Sequence, residues 1–450
     1  MSDGLFDGVL AAGPVAELVG DRAWVQAMLD FEAALALASA AAGVLPDEAA
    51  AAIERCCRAE EYDIAALGAD AVGIGNPAGP LVRALTARVV PAAAGYVHLG
   101  ATSQDVIDTA AMLVTARALA ALRADLHACA TRLAQLAEEH AGTVMAGRSL
   151  LQQAPPVTFG LTAAGWLGGI IAALDRVDLM RRERLAVQFG GAVGTLAALR
   201  DNGIPVLSEL ARHLGLAEPV LPWHTERSRI AEVAGSLGQT CGAVAKIARD
   251  ITLLAQTEIA EVSEQGPPGS GGSSTMPHKR NPVAAVLAAG SAAQAPGLVA
   301  TLLSAAAHEH QRAAGSWHAE WRPLVELLRS TGSAVHWLRL CLDRLQADPQ
   351  RMRANLDSTG GHLLAEHVST ELMSVSHGAV GRQEAGDLVA ACCRQADAAG
   401  NDLAAVLAAD AVIGKFLDRK RIDELLEPPS YLGSANEFIR RALRDWQSRS

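Results

Sequence analysis

The long stretches without proline constrain the fold of this chain more than any other feature. Such stretches run from Pro91 to Pro155, from Pro156 to Pro205, and from Pro222 to Pro267. They are rich in alanine and leucine and poor in runs of β-branched residues, a composition that favours long helices over strands. The sequence therefore predicts an all-α protein.

One predicted helix is long enough to bear on assembly. It starts at Trp223-His224-Thr225-Glu226, with Thr225 as the N-cap, and runs to about Val262. Apolar residues recur along it at helical spacing: Ile230, Val233, Leu237, Cys241, Val244, Ile247, Ile251 and Leu254. A helix of about 35 residues is roughly 50 Å long. Because an apolar stripe of that length needs neighbouring helices, we predict a central bundle that is shared between subunits.

Breaks in the helical pattern divide the chain into three predicted domains. The first break lies in Gly95–Gly100, and the second is the turn at Asp348-Pro349-Gln350. We predict an N-terminal helical domain at 1–100, a central long-helix domain at 101–350 and a C-terminal helical domain at 351–450. The loop Gln265–Thr275 is the only long flexible insertion that the sequence predicts.

The composition raises the question of a membrane span. Hydrophobic residues make up 50% of the 450 residues, and charged residues only 19%. Two uncharged runs, Ser149–Leu174 and Pro282–His308, reach the roughly 20 residues that a membrane helix needs. The first contains two adjacent prolines, and the second is rich in alanine rather than leucine. Small residues on uncharged helices favour close packing in a buried bundle, so we predict no membrane span.

Charge and cysteine usage exclude further classes of protein. The formal net charge is −11 and no basic stripe is present, which argues against nucleic-acid binding. The seven cysteines form no CxxC motif and no zinc-type cluster, and the N-terminus lacks the features of a signal peptide, so we expect a cytoplasmic protein. His308 and His310 lack a third ligand at metal-site spacing, so we predict no metal site. Gly190, Gly191 and Gly194 are predicted to be turn glycines rather than a phosphate loop.

The most informative motif for function is Gly269–Pro282, which reads GSGGSSTMPHKRNP. It combines a glycine-rich loop and two adjacent serines with two cations and an amide. Such a loop can deliver a hydroxyl to a substrate beside groups that hold an anion. The spacing GSSxMPxKxNP resembles the signature of the fumarase/aspartase superfamily.

Further segments narrow the resemblance. VHLGATSQDVIDTA, GRSLLQQAPPVTFGL, PWHTERSRI and WHAEW resemble the 3-carboxy-cis,cis-muconate cycloisomerase branch of that superfamily, and the likeness covers nearly the whole chain. It implies a three-domain helical subunit of a homotetramer, whose active sites draw segments from three subunits. It also implies interconversion of 3-carboxy-cis,cis-muconate and 4-carboxymuconolactone, a step in aromatic degradation, without metal or cofactor.

The same resemblance assigns roles to individual residues. Ser273 matches the proton-transfer residue of the superfamily, and Lys279 and Asn281 match donors that stabilise an enediolate-like intermediate. The expected contacts to substrate carboxylates come from hydroxyls, amides and one guanidinium fork: Thr102, Ser103, Ser149, Gln152 and Arg312. The predicted substrate-binding set also includes Arg148, Ser274, Met276 and His318. From the residues alone, Thr102-Ser103 also reads as the cap of a helix near Asp105, Trp317 and Trp321 as a packed pair, and His318 as a structural hydrogen-bonding residue.

Two departures from related lyases bear on the reaction. Adenylosuccinate lyases have Thr-His where this chain has Ser149-Leu150, and a histidine near the position of Asn76. Leucine cannot transfer a proton, which excludes protonation of an amine leaving group by that route. Cycloisomerisation needs no such acid, because its reverse is a β-elimination with a carboxylate leaving group. Two alternatives stay open: a lyase that releases fumarate from a substituted succinate such as nitrosuccinate, and a non-catalytic structural protein on this scaffold.

Overall fold

The fold was analysed in a computed structural model that describes residues 4–266, 271–272, 276 and 279–449. The protein is predominantly helical, as predicted. The chain folds into two compact units. Unit 1 comprises Met1–Ala128, Ala172–Arg249 and Ala284–Leu340; unit 2 comprises Cys129–Ile171, Asp250–Val283 and Cys341–Ser450. The division into three domains at 100 and 350 stays a prediction.

Four long helices form the framework of the protein. They are α1 (Ser103–Glu139), α2 (Phe159–Leu179), α3 (Ser228–Leu254) and α4 (Ser316–Asp343). In unit 1 their apolar faces are buried through residues such as Ala110, Val114, Leu122, Val233, Leu237, Val244, Leu327, Val335 and Leu338.

Shorter helices complete the two units. The α-helices of unit 1 are Asp7–Leu10, Val15–Leu18, Asp21–Ala41, Asp47–Arg55, Ile64–Ala71, Ala78–Arg88, Pro91–Ala94, Gly203–Leu214, Val283–Ala292 and Ala295–Ala305. Those of unit 2 are Pro349–Asp357, Ala365–Val375, Arg382–Ala399, Leu403–Ala409, Ile413–Phe416, Arg419–Leu425 and Ala435–Gln447. Short 3-10 helices cover Ala59–Glu61, Ala197–Asn202, His362–Leu364 and Pro428–Tyr431, and a π-helical turn covers Met180–Arg184.

The apolar stripe predicted for α3 is confirmed, but the helix is shorter than predicted. All eight apolar residues of the stripe are buried. The helix ends at Leu254, whose carbonyl accepts a hydrogen bond from the Glu261 N–H at 3.0 Å after a left-handed turn at Ala260 (φ +50°). The predicted N-cap was wrong: the helix starts at Ser228, and the Thr225 hydroxyl donates to the carbonyl of His310 at 2.9 Å instead.

Unit 2 contains two short antiparallel strand pairs that the sequence pattern did not predict. Strands β1 (Val144–Ser149) and β2 (Gln152–Thr158) form a hairpin, and β3 (Val262–Glu264) pairs with β4 (Leu345–Ala347). Strand β2 contains Pro155 and Pro156, and the register shifts opposite them, between Ala146 and Gly147. A bulge is one of the few places where a strand accommodates proline, which has no N–H to donate.

The helices after Asp348 surround a separate apolar core in unit 2. It is built from Val368, Leu372, Val380, Val389, Leu403, Leu407, Ile413, Ile422 and Leu425. The predicted turn at Asp348 is confirmed as a helix start: its side chain accepts a hydrogen bond from the Arg351 N–H, and Pro349 occupies the first helical position.

By length and composition alone, Val283–Ala305 is apolar enough to cross a membrane. Only 33% of its most apolar window is buried within the chain. The segment is two helices rather than one, Val283–Ala292 and Ala295–Ala305, and the second has Pro296 in its first turn. Core helices of soluble proteins pass the same test of length and composition, so it is weak support for a span.

Candidate active site

The first group of candidate residues lies at the start of α1 in unit 1. The helix begins at Ser103, and the Asp105 carboxylate accepts the backbone N–H of Thr102 at 3.0 Å, which confirms that these residues start a helix. The same buried carboxylate accepts the N–H groups of Gly190 and Gly191 at 3.0 and 2.9 Å. Asp105 therefore fixes the backbone that presents the Thr102 and Ser103 side chains.

The glycines act in a turn around Asp105. Gly191 and Gly194 have φ values of +66° and +87°, conformations that favour glycine. A Cβ on Gly190 would lie 2.8 Å from the His224 ring, whose Nε2 is itself 2.7 Å from Asp105 Oδ1. The prediction of turn glycines is confirmed, and the anion that they hold is a side chain of the protein.

Arg312 lies next to Thr102. This proximity is required if the two residues are to bind the same substrate carboxylate. Its Nη1 donates to Thr102 Oγ1 at 2.8 Å, and its Nε donates to Gln104 Oε1 at 2.6 Å. Burial lowers the pKa of Arg312, and the carboxylates of Asp105 and Asp108 partly offset that effect. The guanidinium is half-buried and keeps its charge, so this corner of unit 1 can bind an anion.

Beneath this corner lies a buried charge network that the sequence analysis missed. Arg227 donates to both oxygens of Asp108, at 2.8 and 3.0 Å, and to both oxygens of Glu320. The three side chains are at most 3% exposed. Burial alone would lower the pKa of Arg227, but the two carboxylates raise it above its usual range. Trp317 Nε1 donates to Asp108 at 2.9 Å, so residues of the VHLGATSQDVIDTA, PWHTERSRI and WHAEW motifs meet in this network.

The WHAEW segment itself forms an aromatic cluster. Trp317 and Trp321 pack edge to face with ring centroids 4.9 Å apart, which confirms the predicted pair. His318 Nε2 lies 3.0 Å from the carbonyl of Gly75, so His318 has a hydrogen-bonding contact within unit 1. Its predicted contact with substrate stays a prediction. Next to Gly75, Asn76 Oδ1 accepts the Gly79 N–H at 3.3 Å, a turn contact at the start of a helix.

The second group of candidates lies on the β1–β2 hairpin of unit 2. Ser149 pairs with Gln152, so Leu150 and Leu151 form a two-residue turn with φ of +53° and +64°. Turns of this kind favour Asn-Gly, because a side chain at positive φ is strained. The two leucines are 94% and 74% exposed, and Ser149 and Gln152 are exposed beside them. The hairpin thus carries its polar candidates on a strained, apolar tip.

Arg148 anchors the base of this tip. Its two Nη atoms donate to the two oxygens of Glu261, at 2.9 and 2.6 Å, and Asn355 Nδ2 donates to the same carboxylate at 2.9 Å. Glu261 is fully buried. This geometry makes Arg148 a support for the hairpin; its predicted contact with substrate stays a prediction.

The leucine turn leads to a stability prediction. Replacement of Leu150-Leu151 by Asn-Gly is expected to raise the free energy of unfolding by about 1 kcal/mol, because Asn and Gly tolerate positive φ. Urea denaturation at fixed protein concentration measures the change. The matched control is Leu150→Ala/Leu151→Ala, which removes the exposed apolar surface but keeps the strain. Equal stabilisation by both variants would show that strain is not the cause.

The third group belongs to the signature loop in unit 2. Ser273 and Ser274 lie outside the described residues. Asn281 connects the two sides of the loop, because its backbone N–H and its Nδ2 both donate to the Gly271 carbonyl, at 2.9 and 3.0 Å. Gly271 has a φ of +71°, and a Cβ there would lie 2.7 Å from the Asn281 carbonyl oxygen. Lys279 and Met276 are exposed, and the Lys279 N–H donates to the Met276 carbonyl at 3.0 Å.

Metal-ligating side chains are not grouped in the described part of the chain. No set of three or more His, Cys, Asp or Glu side chains there has metal-binding geometry. His308 Nε2 instead lies 3.1 Å from Glu320, at the edge of the buried charge network.

This fold and these motifs define a class of protein. The profile of the lyase family matches residues 10–297, and that of the adenylosuccinate lyase C-terminus matches residues 361–442. The chain belongs to this lyase family, within the fumarase/aspartase superfamily.

The similarity extends to particular enzymes. The chain is 47% identical to 3-carboxy-cis,cis-muconate cycloisomerase of Pseudomonas aeruginosa, over 98% of this chain and 96% of that protein. It is 42% identical to nitrosuccinate lyase of Streptomyces davaonensis, over 98% of this chain and 95% of that protein. The crystal structure of the 3-carboxy-cis,cis-muconate lactonizing enzyme from Pseudomonas putida superposes with a TM-score of 0.92 at 43% identity, and the match covers 99% of both chains.

Proposed function

We propose that this protein is a cofactor-independent cycloisomerase that interconverts 3-carboxy-cis,cis-muconate and 4-carboxymuconolactone. The observation that carries the proposal is the exposed Leu150 at the hairpin tip, where adenylosuccinate lyases carry their general acid. Asn76, near the second missing histidine, is engaged in a turn. A site without these acids suits a reaction whose leaving group is a carboxylate. The names of the relatives at 47% and 43% identity support the same substrate.

The reaction forms one C–O bond and moves one proton. A carboxylate oxygen of the substrate adds to a carbon of the conjugated diene, and the π electrons move towards a second carboxylate to give an enediolate-like dianion. The carbon next to that carboxylate then takes a proton, so the product is an isomer of the substrate. We assign the proton transfer to Ser273 and the stabilisation of the dianion to Lys279 and Asn281.

The remaining candidates hold the substrate carboxylates in this proposal. Arg312 and Thr102 are in contact in unit 1, and Ser103 is adjacent, so together they offer a guanidinium and two hydroxyls to one carboxylate. Ser149 and Gln152 offer a hydroxyl and an amide from the hairpin tip, and Ser274 offers a hydroxyl from the loop. Met276, whose thioether has no hydrogen to donate, offers the substrate an apolar contact. Arg148 and His318 complete the proposed substrate-binding set. Arg148 also holds the hairpin through Glu261, and His318 also contacts the Gly75 carbonyl.

We further propose a cytoplasmic homotetramer with active sites shared between subunits. The support is the apolar segment Val283–Ala305, because only 33% of its most apolar window is buried within one chain. Val286 and Leu303, on the helices Val283–Ala292 and Ala295–Ala305, are 50% and 52% exposed. A shared helical bundle covers such surface, since large exposed apolar patches mark interfaces. Size-exclusion chromatography with light scattering tests the tetramer, and a monomeric active enzyme would contradict it.

A substrate comparison tests the function. Purified protein is expected to remove the diene absorbance of 3-carboxy-cis,cis-muconate and to yield the lactone by NMR. Nitrosuccinate is the second substrate, because the relative at 42% identity is named for it and loss of nitrite needs no acid catalyst. Fumarate release without diene loss would reject the cycloisomerase and establish the lyase. Failure of both reactions in folded protein would leave the non-catalytic scaffold.

A further inference from the structure

One buried amide is placed to control the guanidinium of Arg312. Gln104, on the first turn of α1, is 1% exposed. Its Oε1 accepts the Arg312 Nε–H at 2.6 Å. Its Nε2 donates to Asp108 Oδ2 at 3.1 Å and to the His224 carbonyl at 2.7 Å. Every polar atom of this side chain therefore has a protein partner, and the side chain has almost no accessible surface to offer a substrate.

The orientation of the Gln104 amide is determined by its neighbours. Asp108 and the His224 carbonyl present only acceptors, so the NH₂ group must face them. The amide oxygen is then directed at Arg312. A flipped amide would place an oxygen against two acceptors and an NH₂ against a guanidinium. Arg227 donates to both oxygens of Asp108, so the carboxylate that accepts from the Gln104 amide is itself fixed in place.

The contacts of Arg312 leave its Nη2 atom available to bind a substrate carboxylate. Nε donates to Gln104, and Nη1 donates to the Thr102 hydroxyl at 2.8 Å and to the Ala192 carbonyl at 3.4 Å. Among the described residues, Nη2 has no hydrogen-bond partner. A guanidinium that is held on two sides has a fixed plane, and its remaining N–H groups point in a fixed direction. Pre-orientation of this kind lowers the entropy that is lost when a carboxylate binds.

We infer that Gln104 is a positioning residue, which holds the Arg312 guanidinium in the orientation that receives a substrate carboxylate. The inference rests on the proposed role of Arg312 in binding that carboxylate. Glutamate at this position would bring a second carboxylate against Asp108, and asparagine is one methylene too short to span the same partners. The position thus requires the length and the amide of glutamine.

The test is a double-mutant cycle in which the dissociation constant of a ligand is measured instead of the rate of turnover. Tricarballylate, an unreactive tricarboxylate, is titrated calorimetrically into the full-length protein, Gln104→Met, Arg312→Met and the double variant. Gln104→Met is expected to raise the Kd about tenfold, which is typical of a lost hydrogen bond to a charged group. In the Arg312→Met background the same change is expected to have no further effect. With 3-carboxy-cis,cis-muconate, KM should rise while kcat stays within about threefold, because the carboxylate contact is equal in the ground and transition states.

Gln188→Met is the matched control. Gln188 is also fully buried, and it contacts Asp108 at 3.4 Å and the Trp223 N–H at 2.9 Å, with no contact to Arg312. It is expected to lower the thermal midpoint and to leave the Kd for tricarballylate unchanged. A rise in Kd equal to that of Gln104→Met would assign the effect to general loosening of the network and would overturn the inference.

Other outcomes are equally decisive. An unchanged Kd in Gln104→Met, or the same factor in both Arg312 backgrounds, would refute the positioning role. Tricarballylate binding that does not depend on Arg312 would refute the role of Arg312 and with it the inference. If Gln104→Met does not fold, Gln104→Asn enters the same cycle with the same criteria. Absence of diene loss in the wild-type protein would reject the proposed function, and the binding cycle would still decide the role of Gln104.

Discussion

Lys279→Met is expected to lower kcat and kcat/KM by about 10²–10³, as is typical when one donor to a developing anion is removed. The addition step concentrates negative charge on a carbon beside a carboxylate. A lysine ammonium offers a compact positive charge to that dianion, and methionine keeps the length of the side chain without the charge. Because the interaction strengthens in the transition state, kcat should fall more than KM rises. Initial rates of diene loss measure both constants.

The neighbouring Arg280→Met variant is the control for Lys279. Arg280 is an exposed cation one residue away, and it pairs with Gly272 through the backbone. It should keep kcat within about twofold, since it lacks a direct role and surface substitutions have small effects. Both variants should also keep the wild-type free energy of unfolding, because both side chains are exposed. A Lys279→Met enzyme with nearly normal kcat would show that another group stabilises the dianion.

The helical framework could be predicted because its cause is local. The stripe from Ile230 to Leu254 follows from spacing alone, and every member is buried. The end of that helix could not be predicted, because it depends on a left-handed turn at Ala260 and on pairing of the next residues with β4. The β1–β2 hairpin could not be predicted either, because its local sequence lacks the usual signals of a hairpin. Its turn is Leu-Leu rather than Asn-Gly, and its second strand contains two prolines.

Only some residues of the candidate site could be predicted from the sequence. Motifs pointed to Thr102 and Arg312, which the structure brings into contact across 210 positions of sequence. The buried partners were missed, since Asp108 reads as an ordinary polar position in DVIDTAAMLV. The signal was present in the sequence: a charged residue on the apolar face of a long helix requires a counter-charge. Glu320 lies on α4 in the same way, and Arg227 immediately precedes α3.

Arg227→Met is expected to lower the free energy of unfolding by about 3–5 kcal/mol, the range for breaking a buried ion pair from one side. The substitution removes the cation that contacts Asp108 and Glu320 and leaves two carboxylates in a region that is at most 3% exposed. The cause of the loss is desolvation, because each carboxylate loses the guanidinium N–H groups that replaced its water. Urea denaturation followed by far-UV circular dichroism, at fixed protein concentration, measures the loss.

Arg419→Met is the control for Arg227→Met, because it tests whether the loss of stability depends on burial or on the number of carboxylates that the arginine contacts. Arg419 also contacts two carboxylates, Asp402 at 2.7 Å and Asp423 at 2.9 Å, but its side chain is 50% exposed. The loss of stability in Arg419→Met should be much smaller than in Arg227→Met, because water replaces the guanidinium. The triple variant Arg227→Met/Asp108→Asn/Glu320→Gln replaces the cation and both carboxylates by neutral side chains. It should recover part of the stability that Arg227→Met loses, because no unpaired charge remains buried. Similar losses in Arg227→Met and Arg419→Met would mean that solvent reaches the Asp108–Arg227–Glu320 network, whereas a large difference would show that burial sets the free-energy cost of removing the cation.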